Sequence, residues 1–358
     1  MVVEFEVQIA HSVEEVGQQA WDRLAGDRPF ASYRWFRFGE AVLADNLPIY
    51  ILLYQGGEPV ARATFWLRRN EPVPIPPGPV RKLVEALMGC WPLLICQAPL
   101  ADESGLILPE PPLRDEALAC LADVALGEAQ RHAASFVVFV YLGPGESRLK
   151  GWPAVYAAAE LPDPGTCLPL VWTDFESYLR SLSRSAWKNY RRHRNRAADE
   201  GVEVVCQPAV TDLDEAMLLI RNVEQKHGSA AYPWARAALE HAAMVDAIWL
   251  TVRVGGRLVG CGSILGDGDV RLLKFLGLDY KVPYAYFQLI YAGIRCAIEH
   301  GVRILVGGAG AYETKQRLGF QLVDTNYVVF AGRGPLLGRL GRWLVGKEES
   351  KVRDPYES

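Results

Sequence analysis

At 358 residues, with 50% hydrophobic, 22% charged and 10% aromatic residues, the chain is long enough for two globular domains and is neither disordered nor fibrous in composition. A formal charge of −4 and a pI near 5.9 exclude a global pull toward nucleic acid or an anionic membrane, so no DNA partner is expected and any polyanion must meet a local patch. The seven cysteines are odd in number and form no CxxC pair, which points to free thiols in a reducing compartment and to no metal site.

Residues 1–10 alternate Val, Glu and Phe without a basic segment ahead of an apolar one, so they do not read as a signal peptide and a cytoplasmic location is expected. Residues 50–67, YILLYQGGEPVARATFWL, are two apolar runs joined at Gly56-Gly57, the pattern of a hairpin whose tight turn needs positive φ. Residues 70–112 read as an insertion, because the run Pro72-Val73-Pro74-Ile75-Pro76-Pro77-Gly78-Pro79 suits neither a helix nor a central strand. Within it, the greasy stretch 83–101 is broken by Glu85, Pro92, Gln97 and Pro99, making it a poor membrane span and a better buried segment. Helical spacing over 118–132 leads into an apolar strand at 136–142. Pro162, Pro164 and Gly165 then punctuate a polar stretch, which sets a boundary between a first unit at 1–165 and a second at 166–332.

The second unit opens at Asp174, an N-cap for a helix running to about residue 201. Arg180, Arg184, Lys188, Arg191, Arg192, Arg194 and Arg196 crowd this helix with no acid between them, a face suited to phosphate. Residues 221–234 carry Glu224 and His227 on one face at a helix end, where either could accept a proton from an attacking amine. Residues 249–266, WLTVRVGGRLVGCGSILG, repeat the hairpin around Gly255-Gly256. Residues 274–288 follow, placing Lys274, Tyr280, Tyr284 and Tyr286 between a strand and a helix whose N-terminus would attract an anion. That helix at 287–300 leads into a strand at 304–306, as in the first half. Residues 306–320, VGGAGAYETKQRLGF, form a glycine-rich bend and a helix bearing Tyr312, Glu313 and Lys315. The tail 333–358 includes an amphipathic basic helix, 335–346, able to dock on the protein or on a membrane surface.

Two hairpins at equivalent depth, each followed by helix and strand, indicate two related α/β units in tandem, each a mixed, mainly antiparallel sheet flanked by helices. These pieces resemble the GNAT acyltransferase superfamily in its tandem FemAB-like and BioF2-like branches. The resemblance rests on SLSRSAWKNYRRHRNRAADEG, similar to the helix opening the second domain there, and on the ending AGAYETKQRLGF. The first half matches only as a degenerate copy. The resemblance implies a working site in the second half, with Lys315 touching a ligand. The Arg/Gln-x-x-Gly-x-Gly/Ala loop by which single-domain members hold CoA is absent; the segment in its place is Asp279-Tyr280-Lys281-Val282-Pro283-Tyr284-Ala285.

The activity so implied is transfer of an acyl group from acyl-CoA to an amine of a small-molecule or cell-envelope acceptor, with no tightly bound cofactor. Aminoacyl-tRNA as the donor, forming a peptide bond, is the alternative, and a catalytically inactive module that binds an envelope precursor is a third. Glu224, His227 and Tyr280 are the catalytic candidates; Lys188, Arg191, Arg192, Tyr284 and Lys315 would hold the donor; Lys274, Tyr286, Tyr312 and Glu313 would line the acceptor site. No GxSxG elbow or Cys-His context suggests a covalent intermediate.

Overall fold

Both Gly-Gly pairs close two-residue turns at positive φ: Gly56 at 61° and Gly57 at 81°, Gly255 at 56° and Gly256 at 79°. The likeness extends to the strands, because each hairpin has a register shift at the same distance before its turn, between Leu53 and Tyr54 and between Val252 and Arg253. The computed structural model in which these features are seen describes residues 4–69, 91–161, 163–228, 231–282 and 284–334. The proline run 72–79 and the tail helix 335–346 lie outside the described residues.

The first half runs β1 (Glu6–Ala10), α1 (Val13–Val16), α2 (Gln18–Ala25), α3 (Tyr33–Val42), β2 (Leu47–Gln55), β3 (Glu58–Arg68), β4 (Leu93–Cys96), β5 (Leu106–Ile107), α4 (Arg114–Arg131), β6 (Phe136–Leu142) and β7 (Ala157–Glu160). The second runs β8 (Thr166–Pro169), α5 (Phe175–Ser181), α6 (Arg184–Asp199), β9 (Val202–Gln207), α7 (Leu213–Lys226), α8 (Ala235–Glu240), β10 (Ile248–Val254), β11 (Arg257–Asp267), β12 (Val270–Leu278), α9 (Ala285–Glu299), β13 (Ile304–Val306), α10 (Tyr312–Arg317), β14 (Gln321–Leu322) and β15 (Tyr327–Gly332). The first sheet is ordered β1-β2-β3-β4-β6-β15-β7, with β5 also on β3, and the second β14-β8-β13-β12-β11-β10-β9. Among the described residues only the β4–β6 and β12–β13 pairs are parallel, so both sheets are mixed and mainly antiparallel, as expected.

Two expectations change. Leu93–Cys96, read as part of an insertion, is a buried strand between β3 and β6. It is only four residues long and follows Pro92, which hid its period. The basic stretch is two helices. Asp174 caps α5 by accepting from Ser177 N at 2.6 Å, and Ser183 starts α6 afresh by accepting from Ala186 N at 3.2 Å.

The last strand of the second half crosses to the first sheet. β8 lies between β13 and β14 in the second sheet, while β15 returns to the first sheet between β6 and β7. The lobes also share a core, in which Trp21, Trp35 and Phe38 of the first half pack in one cluster with Leu265, Leu272 and Phe275 of the second. Polar contacts reinforce it: Asp267 accepts from Ser32 N at 3.3 Å and Ser32 Oγ at 2.5 Å, and Arg34 pairs with Asp246.

Candidate functional site

In the second lobe, the parallel strands β12 and β13 pair only from Val270 with Ile304 to Leu272 with Val306. Beyond that point β12 continues to Leu278 with no strand on that edge among the described residues. It also bulges there. Ser263 faces Lys274 and Cys261 faces Gly277, so β12 carries an extra residue, and Phe275 takes a φ of 56°. The chain then turns into α9, whose N-cap Tyr284 has a φ of 69° and supplies no side-chain cap. The first bond of the helix runs from Gln288 N to Tyr284 O at 3.1 Å, which leaves the N–H groups of Ala285, Tyr286 and Phe287 outside its ladder.

Helix α6 lies antiparallel on α9. His193 stacks on Phe287 at 3.9 Å and Tyr190 meets Tyr291 edge-on at 4.8 Å. This packing sends Arg196 to the start of α9, where its Nη1 donates to Tyr284 Oη at 3.1 Å. Lys188, Arg191 and Arg192 project from the exposed face of α6, without an ion pair among the described residues.

Other candidates have different duties. Glu224 is buried with both oxygens engaged, Oε2 by Arg221 at 2.6 Å and Oε1 by Tyr232 N at 3.3 Å, so its carboxylate is not free to take a proton from an amine. His227 and Tyr280 do meet, Nε2 to Oη at 3.3 Å, but on an exposed surface with Lys226 Nζ over the tyrosine ring. Lys315 spends its donors on the glycine-rich bend, giving bonds to the carbonyls of Gly307 (2.7 Å), Gly308 (3.1 Å) and Ala309 (3.1 Å). It braces that loop and has no donor left for a ligand. Burial pushes its ammonium down to about 8. Tyr312 Oη donates to Pro164 O at 3.0 Å, Glu313 pairs with Arg317, and Tyr286 packs against Phe287.

Lys274 reaches into the first lobe, where its Nζ donates to Leu100 O at 2.5 Å, and burial lowers its pKa. Leu100 belongs to residues 97–105, a loop that interrupts one continuous line of pairing along β3. β4 pairs with β3 up to Phe65, the loop departs, and β5 resumes at Ala63 and Arg62. Gly105 is the point of return: a Cβ there would stand 2.4 Å from Thr64 Oγ1 and 2.7 Å from Thr64 O. The bulge of β12 and this loop occupy equivalent places in the two lobes, and the loop's tip contacts the second lobe where β12 leaves β13.

Beside that loop, in the first lobe, is a cavity of about 330 Å³. Its wall includes Arg28, Phe30 and Phe36 from the segment joining α2 and α3 and from α3 itself, Arg62 and Thr64 from β3, Glu103 from the loop, and Tyr141 and Glu146 from the end of β6 and beyond. Burial, with Asp102 and Glu146 nearby, pushes the Glu103 carboxyl up to about 7. Arg62 is buried against the Trp21 ring at 4.1 Å and donates to Trp21 O at 3.2 Å and Ala31 O at 2.6 Å, while its Nε has no partner. Sequence reasoning missed this site. Its only trace was the polar Asp102-Glu103-Ser104 closing an apolar stretch.

Neither a family model nor a curated protein matches the sequence. Solved structures do match over nearly the whole chain. A tandem GNAT protein from the clavulanic acid biosynthesis pathway aligns at a TM-score of 0.57 and 14% identity, over 93% of this chain and 99% of its own. FemX aligns at 0.60 and 12%, over 90% and 96%. The C-terminal domain (DUF2156) assigned to a lysylphosphatidylglycerol synthetase of Agrobacterium fabrum aligns at 0.54 and 11%, over 94% and 96%. At such identities the likeness defines the fold: the chain has the tandem GNAT, FemAB-like architecture. Among the described residues no helix is long and apolar enough to cross a membrane.

Proposed function

We propose that this chain is a GNAT-type transferase that moves an acyl group from a phosphate-bearing carrier to an amine, with acyl-CoA as the carrier. The observation that carries this reading is the uncapped N-terminus of α9, set at the end of the unpartnered edge of β12 with Arg196 beside it. Free N–H groups and the positive end of the helix dipole suit a pyrophosphate, and Arg196 adds a planar donor. The open edge of β12 offers main-chain N–H groups to a carbonyl oxygen as negative charge develops on it. The amine then attacks directly, since holding both reactants in register supplies much of the rate without a covalent enzyme intermediate.

The test is donor kinetics of Arg196→Ala. Loss of a charged hydrogen bond of about 1.5–3 kcal/mol raises the acyl-CoA KM on the order of 10- to 100-fold with little change in kcat. An unchanged donor KM refutes this placement of the carrier. A second reading, aminoacyl-tRNA as carrier, is favoured by the uncompensated face of Lys188, Arg191 and Arg192, which extends beyond what one pyrophosphate needs. It requires tRNA binding that weakens steeply with salt and with Arg191→Ala and Arg192→Ala.

A further inference from the structure

The geometry points to the first-lobe cavity as the binding site of the amine substrate, an amino-acid-sized molecule carrying both an amine and a carboxylate, with Glu103 as the base that takes the amine's proton. This deepens the proposed function and rests on it for the chemical step, though not for binding. The cavity volume of about 330 Å³ falls at the lower end of small-molecule sites.

Its walls are bipolar. On one side Glu103 and Glu146 present carboxylates; Glu146 Oε2 is held by Gly143 N at 3.1 Å, while the Glu103 carboxylate makes no hydrogen bond or ion pair among the described residues. On the other side stand two guanidinium groups. Arg28 is exposed and spends one donor on Leu106 O at 3.3 Å, while buried Arg62, its Nη atoms held by Trp21 O and Ala31 O, adds positive charge behind the wall. A ligand carboxylate meets the remaining donors of Arg28 in a charge-assisted, planar pairing. An ammonium between Glu103 and Glu146 relieves two carboxylates that repel one another. Phe30 and Phe36 supply apolar surface for the carbon chain between the two ends.

The chemical step balances as follows. The bound R–NH3⁺ gives a proton to the Glu103 carboxylate, and the free amine attacks the carbonyl carbon of an acyl thioester or ester, forming a C–N bond. The tetrahedral adduct loses its second N–H proton as the C–S or C–O bond breaks. The departing sulfur or oxygen takes that electron pair and that proton, and Glu103 returns its own proton to water. Asp102 on its own loop and Glu146 beyond β6 act on Glu103, and Arg62 on β3, Arg28 beyond α2 and Tyr141 at the end of β6 line the same cavity. With the carboxyl near 7, the base is formed as pH rises through neutrality, the range in which a general base is most useful.

The experiment measures binding without a carrier, by calorimetry on the full chain, using the ω-amino acids from glycine to 6-aminohexanoate beside the matched simple amines and simple acids. The expected result is that at least one ω-amino acid binds 10-fold or more tightly than either one-ended partner, and that Glu103→Gln and Glu146→Gln each weaken it by 10-fold or more, while binding of the simple acid is unchanged. Circular dichroism of each variant confirms folding. Equal affinity of wild type and Glu103→Gln, or binding by none of the two-ended series, overturns the site. Because no carrier is present, a chain that binds these amines but transfers nothing refutes the transferase reading alone. Transfer that persists in Glu103→Gln with the same pH profile refutes the base alone.

Discussion

Replacing Glu103 by Gln removes one ionisable group and little else, because among the described residues the carboxylate has no hydrogen-bond or ion-pair partner to lose. In the folded chain it is held near 7 rather than 4.5 by burial and by Asp102 and Glu146. At about 1.4 kcal/mol for each tenfold change in proton affinity, that displacement costs the folded state roughly 3 kcal/mol once the group is ionised. The sign follows from linkage. A group whose folded pKa is raised contributes fully below its unfolded pKa, and the contribution is lost as pH rises through the folded value, here between about 4.5 and 7. Glu103→Gln is therefore about as stable as wild type at pH 4.5 and more stable by roughly 3 kcal/mol at pH 8. Urea unfolding of both proteins at several pH values reads this directly. A stability difference that does not change with pH refutes the placement of Glu103 in a desolvated, acid-lined wall.

Two further substitutions test the scaffold. Lys315→Met deprives the carbonyls of Gly307, Gly308 and Ala309 of their shared donor and costs about 2–3 kcal/mol in urea unfolding; a variant as stable as wild type shows that the bend does not need its brace. Gly277→Ala sets a methyl 2.6 Å from Cys261 Sγ and 2.8 Å from Ile220 N, forcing α7 off β12 at a cost of about 1–3 kcal/mol. The same methods read it, and no loss of stability contradicts the close helix-to-strand packing described.

The tandem architecture was legible because it is written in local chemistry. Gly56-Gly57 and Gly255-Gly256 demand positive φ, and the helix and strand after each hairpin carry strong apolar periods. Strand β4 was not legible, since four residues after a proline show no alternation. The crossing of β15 to the first sheet was hidden for another reason: it is an ordinary short strand, and its partner is chosen by the tertiary fold. The site divides in the same way. Charge density singled out α6, yet its arginines mostly face water and only Arg196 meets the start of α9. Glu224 and Lys315 had the right chemistry for their assigned roles but are engaged by Arg221 and by backbone carbonyls. The cavity draws Arg28, Arg62, Glu103 and Glu146 from separate segments, a juxtaposition that no motif spacing records.

The central claim, acyl transfer to an amine, is tested most directly by following amide product and released carrier together by mass spectrometry, with acyl-CoA or aminoacyl-tRNA offered alongside the ω-amino acid series. The account predicts amide and free CoA appearing in equal amounts over many turnovers, without an acylated protein on the way. No amide above the uncatalysed rate from either carrier contradicts it.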